Sequence, residues 1–274
     1  MSSWSSLANT KTKAIYGFKP TTGGICSNLN QLLFSYLFCR KKQVPLYVLD
    51  HPNCVSDTFP MFQGTLEPIS GLSYVYEFPK GTKVLEHKHI HSTLSVLTND
   101  DFKAAAKRLF TFLPAAKERI ASEIPVEISS TAFDIGLHIR SGDKITQGEM
   151  QSISIDAYRS KLLLSQKQLN LETVKIFVMT DNTEFLIKLK DICPSTWSWA
   201  SMDEGSSGHV QSHFNEQSQE KKEREFYRFM AELSIMQKIP TLLVTYSSNV
   251  GRYLYLVCPS TTNPLSLDLP RWTF

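Results

Sequence analysis

The sequence predicts an α/β protein whose 274 residues divide into two parallel-sheet domains, 1–125 and 126–257, followed by a tail, 258–274, that packs back on the body. Three observations predict it. The opening residues spell strand, Gly loop, helix, strand, the unit from which parallel sheets with right-handed crossovers are built. From Phe133 onward strand and helix alternate again. The strands of that second half end in polar residues, and open α/β sheets bind ligands at the carboxyl ends of their strands.

In order, Ala14–Phe18 reads as a first strand and Thr21-Thr22-Gly23-Gly24 as a tight loop. Leu29, Leu32, Leu33, Tyr36 and Leu37 recur at helical spacing, which predicts an amphipathic helix, and Pro45–Asp50 is the next strand. Between 51 and 98 only short apolar pieces stand out, Leu72–Tyr76 and Lys83–Leu85. His87, His89 and His91 alternate there and would share one face of a strand. No Cys or carboxylate stands beside them at ligand spacing, so a surface strand or groove-lining loop is preferred over a metal site. Asn99 or Asp100 caps a helix with Phe102, Ala106, Leu109, Phe110 and Leu113 on one stripe. Pro114 interrupts it, Ala115–Ile124 continues as helix, and Pro125 with the following polar stretch marks the domain boundary.

The second half contains a buried strand from Ala132 to Ile139 and a helix from about Ser154 to Gln168. A strand, Val174–Met179, and a helix, Thr183–Ile192, come next. Trp197–Met202 reads as a strand, 203–219 as a loop, and 220–237 as a helix burying Phe226, Phe229, Met230, Leu233 and Met236. Thr241–Thr245 is the last strand of the series and runs through Ser247-Ser248-Asn249 into a helix ending near Val257.

Composition narrows the function. Charged residues make up 20% of the chain, the net charge is +3, and no Lys/Arg block forms a nucleic-acid footprint. No apolar run is long enough to span a bilayer and no leader is visible, which points to a cytoplasmic protein. The five cysteines are odd in number and irregularly spaced, and are read as reduced thiols. Neither GxGxxG nor GxxxxGK[ST] occurs, so dehydrogenase and P-loop readings lose their support. There is no Asp-x-Asp pair to clamp a metal on a diphosphate.

The stretch Phe133–Lys144 concentrates chemistry: His138, Arg140, Asp143 and Lys144 follow a strand within seven positions. Arg140 and Lys144 suit a phosphate and Asp143 suits holding either cation; the simpler reading is a strand-end ion pair. Asp181 and Ser247-Ser248-Asn249 end two other strands of the same predicted sheet. The serine pair suits an anion at a helix start, or plain N-capping. Glu232 is either a solvated helix glutamate or a carboxylate that reads nucleobase N–H groups. The loop around Gly24, with Cys26 and Asn28, either brings backbone to a diphosphate or is ordinary turn chemistry.

These residues, in order, resemble a family. His138-Ile139-Arg140-Ser141-Gly142-Asp143-Lys144 is similar to the His-x-Arg-x-x-Asp-Lys motif of the α1,6-fucosyltransferases and their nodulation relatives. Tyr158, Thr180-Asp181-Asn182, Thr245-Tyr246-Ser247-Ser248-Asn249-Val250-Gly251-Arg252 and the Gly23–Phe38 segment resemble further family motifs, over roughly residues 20–50 and 132–257. The resemblance implies two Rossmann-like domains facing a cleft, the GT-B arrangement, and an inverting, metal-independent glycosyltransferase without a cofactor. Its substrates would be a sugar nucleotide, GDP-fucose or a UDP-sugar, and a glycan acceptor. The implied catalytic residues are Arg140, Lys144 and Glu149, the last one position further from the Asp-Lys pair than in the family. The implied binding residues are Gly24, Cys26, Asn28, His138, Asp143, Tyr158, Asp181, Glu232, Ser247, Ser248 and Asn249. Asp50 and Glu86 are alternative bases. Two other readings stand: a UDP-sugar transferase such as a xylosyltransferase, and a non-catalytic module that binds a nucleotide or sugar.

Overall fold

The computed structural model describes residues 14–21, 23–50, 61–140, 153–202 and 216–272. Contacts divide the chain into two units, 1–118 with 217–223, and 119–216 with 224–274. In the first unit, β1 (Tyr16–Phe18) pairs with β2 (Leu46–Leu49), β2 with β3 (Leu72–Val75), and β1 with β4 (Lys83–Val84). All three pairings are parallel, in the order β3-β2-β1-β4. The crossover from β1 to β2 is α1 (Ile25–Lys42).

The predicted apolar stripe is only one face of α1, because Leu32 through Cys39 are all buried. Helices α2 (His87–Leu94) and α3 (Asn99–Leu109) pack against it as well, and Phe34 meets Phe102 edge-on at 6.0 Å. The helix stops where Gln43 takes a left-handed conformation, φ 55°, after a last turn of Arg40, Lys41 and Lys42 that suits the negative end of the helix dipole.

Two local expectations need correction. The alternating histidines belong to α2, so residues two apart do not share a face as they would on a strand. The cap of α3 is Thr98, not Asn99 or Asp100. Thr98 Oγ1 accepts from Asp101 N at 3.2 Å and Asp101 Oδ2 accepts from Thr98 N at 2.8 Å, a capping box. Helix α4 (Pro114–Ser122) begins on its proline, where the missing N–H is harmless, and the short α5 (Val126–Ser129) follows Pro125.

The second unit is built on β5 (Ile135–Ile139), β6 (Lys175–Thr180), β7 (Ser198–Ala200), β8 (Thr241–Val244) and β9 (Asn263–Ser266). Every pairing is parallel and the order is β7-β6-β5-β8-β9. Helices α6 (Ile155–Leu169), α7 (Thr183–Ile192), α8 (Gln219–Met236) and α9 (Asn249–Val257) connect the strands. Strand β5 is buried along its length. Ile135, Leu137 and Ile139 point into a core with Tyr158, Leu162, Ile176, Val178, Leu186 and Leu189. Each such side chain contributes about 1.5–3 kcal/mol relative to exposure. On the other face, a Cβ at Gly136 would lie 2.5 Å from Leu242 and 2.9 Å from Met236, so the end of α8 packs directly on the strand backbone.

The tail does more than cover a surface. Residues 263–266 add β9 to the sheet, in register Val244↔Ser266. Pro264, which hides this strand from a propensity reading, is tolerated because β9 is an edge and needs no donor on its outer side. Trp272 then stacks on Tyr255 of α9 at 5.3 Å. Among the described residues no helix is long and apolar enough to cross a membrane.

Candidate functional site

Parallel pairing brings the ends of β5, β6, β8 and β9 to one edge, and with them Arg140, Asp181, the Thr245–Ser248 turn and Asp268. Arg140 Nη1 donates to Asp181 Oδ2, and the two side chains are largely buried, 15% and 10% exposed. A strand-end ion pair is therefore present, with Asp181 as a partner of Arg140; Asp143 lies outside the described residues. Asp181 is fixed in turn by its neighbours. Thr180 Oγ1 accepts from Asn182 N at 3.0 Å, and Asn182 Oδ1 caps α7 by accepting from Phe185 N at 2.9 Å. An Asn at 182 suits that cap.

His138 shares the strand face of Gly136 and is 3% exposed. Its Nδ1 has no hydrogen-bond partner among the described residues. Burial, then the Arg140 charge, pushes its pKa down to about 3, with Asp268 opposing. It is thus a neutral imidazole with an unsatisfied buried nitrogen, a state that an incoming polar ligand atom would relieve. Tyr158 is buried under the same strand end against Phe185, ring centroids 5.2 Å apart. Burial pushes its hydroxyl up, with the Arg140 backbone opposing. Glu232 is half-buried on α8. It lies one turn before Met236 and so shares the helix face that meets β5.

The Thr245–Ser248 turn is organised by a residue that motif reading missed. Asp268 Oδ1 accepts from Tyr246 N at 2.8 Å, Ser266 Oγ at 2.8 Å and Leu269 N at 2.8 Å. Its Oδ2 accepts from Ser247 N at 3.1 Å and from Ser247 Oγ. Burial pushes this carboxyl up, but the hydrogen bonds from Ser247, Ser266, Leu269 and Tyr246 together outweigh it, and the pKa lies below the ordinary value. Ser247 therefore gives its N–H and O–H to Asp268. Ser248 is the N-cap of α9, its hydroxyl accepting from Val250 N at 3.3 Å, and Asn249 opens the helix half-buried. Arg252 Nε donates to Tyr246 O at 2.8 Å. A Cβ at Gly251 would lie 2.0 Å from Thr245 O, so only glycine lets α9 rest on this turn. The faint signal for Asp268 is the Ser266-x-Asp268 turn pattern just after Pro264-Leu265.

In the first unit, Gly24 precedes α1 and Cys26 is buried, its thiol pushed up by burial. Asn28 is fully buried and holds the loop. Its Oδ1 accepts from Thr21 N at 2.8 Å, and its Nδ2 donates to Thr21 O at 3.1 Å and Gly23 O at 3.0 Å. Asp50, an alternative base, is 2% exposed and accepts from Phe62 N at 3.2 Å and Gln63 N at 2.6 Å, which makes it an anchor for the chain after β2. Asp143, Lys144 and Glu149 lie outside the described residues. No group of three metal-ligating side chains forms among the described residues.

The two Rossmann-like parallel α/β sheets match the structures of GT-B fucosyltransferases, and the chain has their fold. It is similar to the NodZ α1,6-fucosyltransferase soaked with GDP-fucose, with TM-score 0.57 and 14% identity over 89% of this chain and 93% of that one. It is also similar to POFUT1 in complex with GDP, with TM-score 0.55 and 9% identity over 94% and 99% of the two chains. A mutant of Arabidopsis thaliana FUT1 in complex with GDP gives TM-score 0.52 and 12% identity over 96% and 72%. No protein-family model matches the sequence, and no curated protein matches it.

Proposed function

We propose that this protein is an inverting, metal-independent glycosyltransferase that moves L-fucose from GDP-fucose to a hydroxyl of a glycan acceptor. The observation that carries the reading is one sheet edge on which His138, the Arg140–Asp181 pair and the Ser248–Asn249 helix start converge, in a fold shared with enzymes crystallised with GDP or GDP-fucose. Residues 126–257, with β9, take the donor, and 1–125 the acceptor. His138, Ser248 and Asn249 hold the nucleotide and Glu232 reads guanine.

Displacement at the anomeric carbon develops positive charge on the sugar and negative charge on the departing diphosphate. Arg140 and Lys144 stabilise that anion. A carboxylate, Glu149 in this reading, accepts the acceptor hydroxyl's proton. The four cysteines among the described residues are free and buried, which suits a reducing compartment, and we place the reaction in the cytoplasm.

The test is a thermal-shift and calorimetric screen with GDP, UDP, GDP-fucose and UDP-xylose, with and without EDTA. GDP at 100 times its dissociation constant should stabilise the protein by about 2.7 kcal/mol. Arg140→Ala should weaken GDP binding by about tenfold or more, the scale of a lost charge-assisted hydrogen bond. Stabilisation by UDP alone would transfer the proposal to a UDP-sugar donor. Binding without GDP release in the presence of acceptors would favour a non-catalytic module.

A further inference from the structure

Two consecutive backbone N–H groups, those of Tyr246 and Ser247, converge just before α9, an arrangement that holds an anion. The anion is part of the protein. The β8–β9 register ends at Val244↔Ser266, and two residues further along each chain the Asp268 carboxylate meets Tyr246 N. Among the described residues its carboxylate accepts five hydrogen bonds, about the full lone-pair capacity of two oxygens. That saturation disqualifies Asp268 as a base or a direct ligand contact. Asp268 is held from its own side as well, since Ser266 Oγ accepts from Asp268 N at 3.3 Å and Leu269 N at 3.0 Å. Tyr246 is fixed further, its hydroxyl donating to Pro264 O at 2.7 Å and its carbonyl accepting from Arg252.

We propose that Asp268 is the positioning residue of the nucleotide site, fixing the Thr245–Ser248 turn so that Ser248 and Asn249 are presented to the ligand. The proposal rests on the nucleotide-binding reading above. It also changes the assignment of Ser247, whose polar groups serve Asp268 rather than a phosphate. The charge of the diphosphate then falls to Arg140 instead of the entrance to α9, which already has its counter-charge.

The test compares wild type, Asp268→Asn and Ser266→Ala. Calorimetry well below each melting temperature gives the Kd for GDP, or for UDP if the screen selects it. Hydrogen exchange follows the Tyr246 and Ser247 amides. Asp268→Asn offers an N–H₂ where an oxygen accepted, so both amides should exchange faster while β5 stays protected. GDP should bind roughly tenfold more weakly, which a purely structural role would not produce in a folded protein. Ser266→Ala should shift both readouts in the same direction by less, and it carries the test should Asp268→Asn not fold. Unchanged affinity in a variant whose amides exchange faster would overturn the proposal. So would tighter binding, which would make the carboxylate a competitor of the ligand, and so would unchanged exchange. Wild-type protein that binds no nucleotide would overturn the parent reading, an outcome distinct from these.

Discussion

Asp50 in the first unit and Asp268 in the second make the same kind of contact and acquire opposite acidities. Each follows a strand of a parallel sheet and accepts two backbone N–H groups of a neighbouring segment. Asp50 is 2% exposed, and burial raises its pKa despite the amides of Gln63 and Phe62. Its charge also pushes up the buried Tyr74 hydroxyl, after burial itself. Asp268 is less buried, adds hydroxyls and a third amide, and ends below its ordinary value. The number of donors, set against the depth of burial, decides the sign. The first carboxylate is an anchor that burial makes harder to ionise; the second is an anchor whose charge its donors favour.

Breaking the Asp268 turn should have the largest effect. Gly251→Ala drives a methyl into Thr245 O and should destabilise the protein by about 3 kcal/mol, read from urea denaturation. A loss below about 1 kcal/mol would mean that α9 shifts freely on the turn.

Next comes the pair itself. Asp268→Asn forfeits two or more charge-assisted bonds and should lose about 2 kcal/mol, whereas Asp50→Asn forfeits one and should lose about 1 kcal/mol. Equal losses would dissolve the contrast.

The contrast sharpens with pH. The Asp268 contribution is present above its unfolded pKa of about 3.9 and is lost as pH falls through the depressed folded value. The Asp50 contribution runs the other way: it is greatest below about pH 3.9 and is lost as pH rises through the raised folded value. Unfolding curves at stepped pH should therefore lose part of their acid limb in Asp268→Asn and gain stability towards neutrality, relative to the loss at low pH, in Asp50→Asn. The smallest effect serves as a control. Thr98→Ala removes the cap of α3 and should cost about 1 kcal/mol without altering the Asp50 limb; the Thr98 hydroxyl also donates to Asp101 Oδ2 and helps hold that carboxyl below its ordinary value, so a small part of the acid limb goes with it.

Much of the fold was legible because its signals are local. The alternation from Phe133 onward fixed β5, β6, α6, α7, α8 and α9 to within a few residues, and Arg140 and Asp181 stood visibly at strand ends. Two elements were hidden for local reasons too: α2 by its alternating histidines, and β9 by Pro264. The pairing of Arg140 with Asp181 was not legible, since 41 positions separate the two and only the β5–β6 register brings their strand ends side by side.

What the sequence determined by itself is where strands stop and which polar residues stand at their ends, because a period of two or of 3.6 and the turn residues act over a few positions. Only the tertiary structure decided what those residues do. It joined Asp268 to Ser247 across 21 positions, put Asn28 to holding its own loop, and left His138 neutral with an unpartnered nitrogen. Hydrogen-bond partners and burial are set by sheet register and packing, and no local period encodes them.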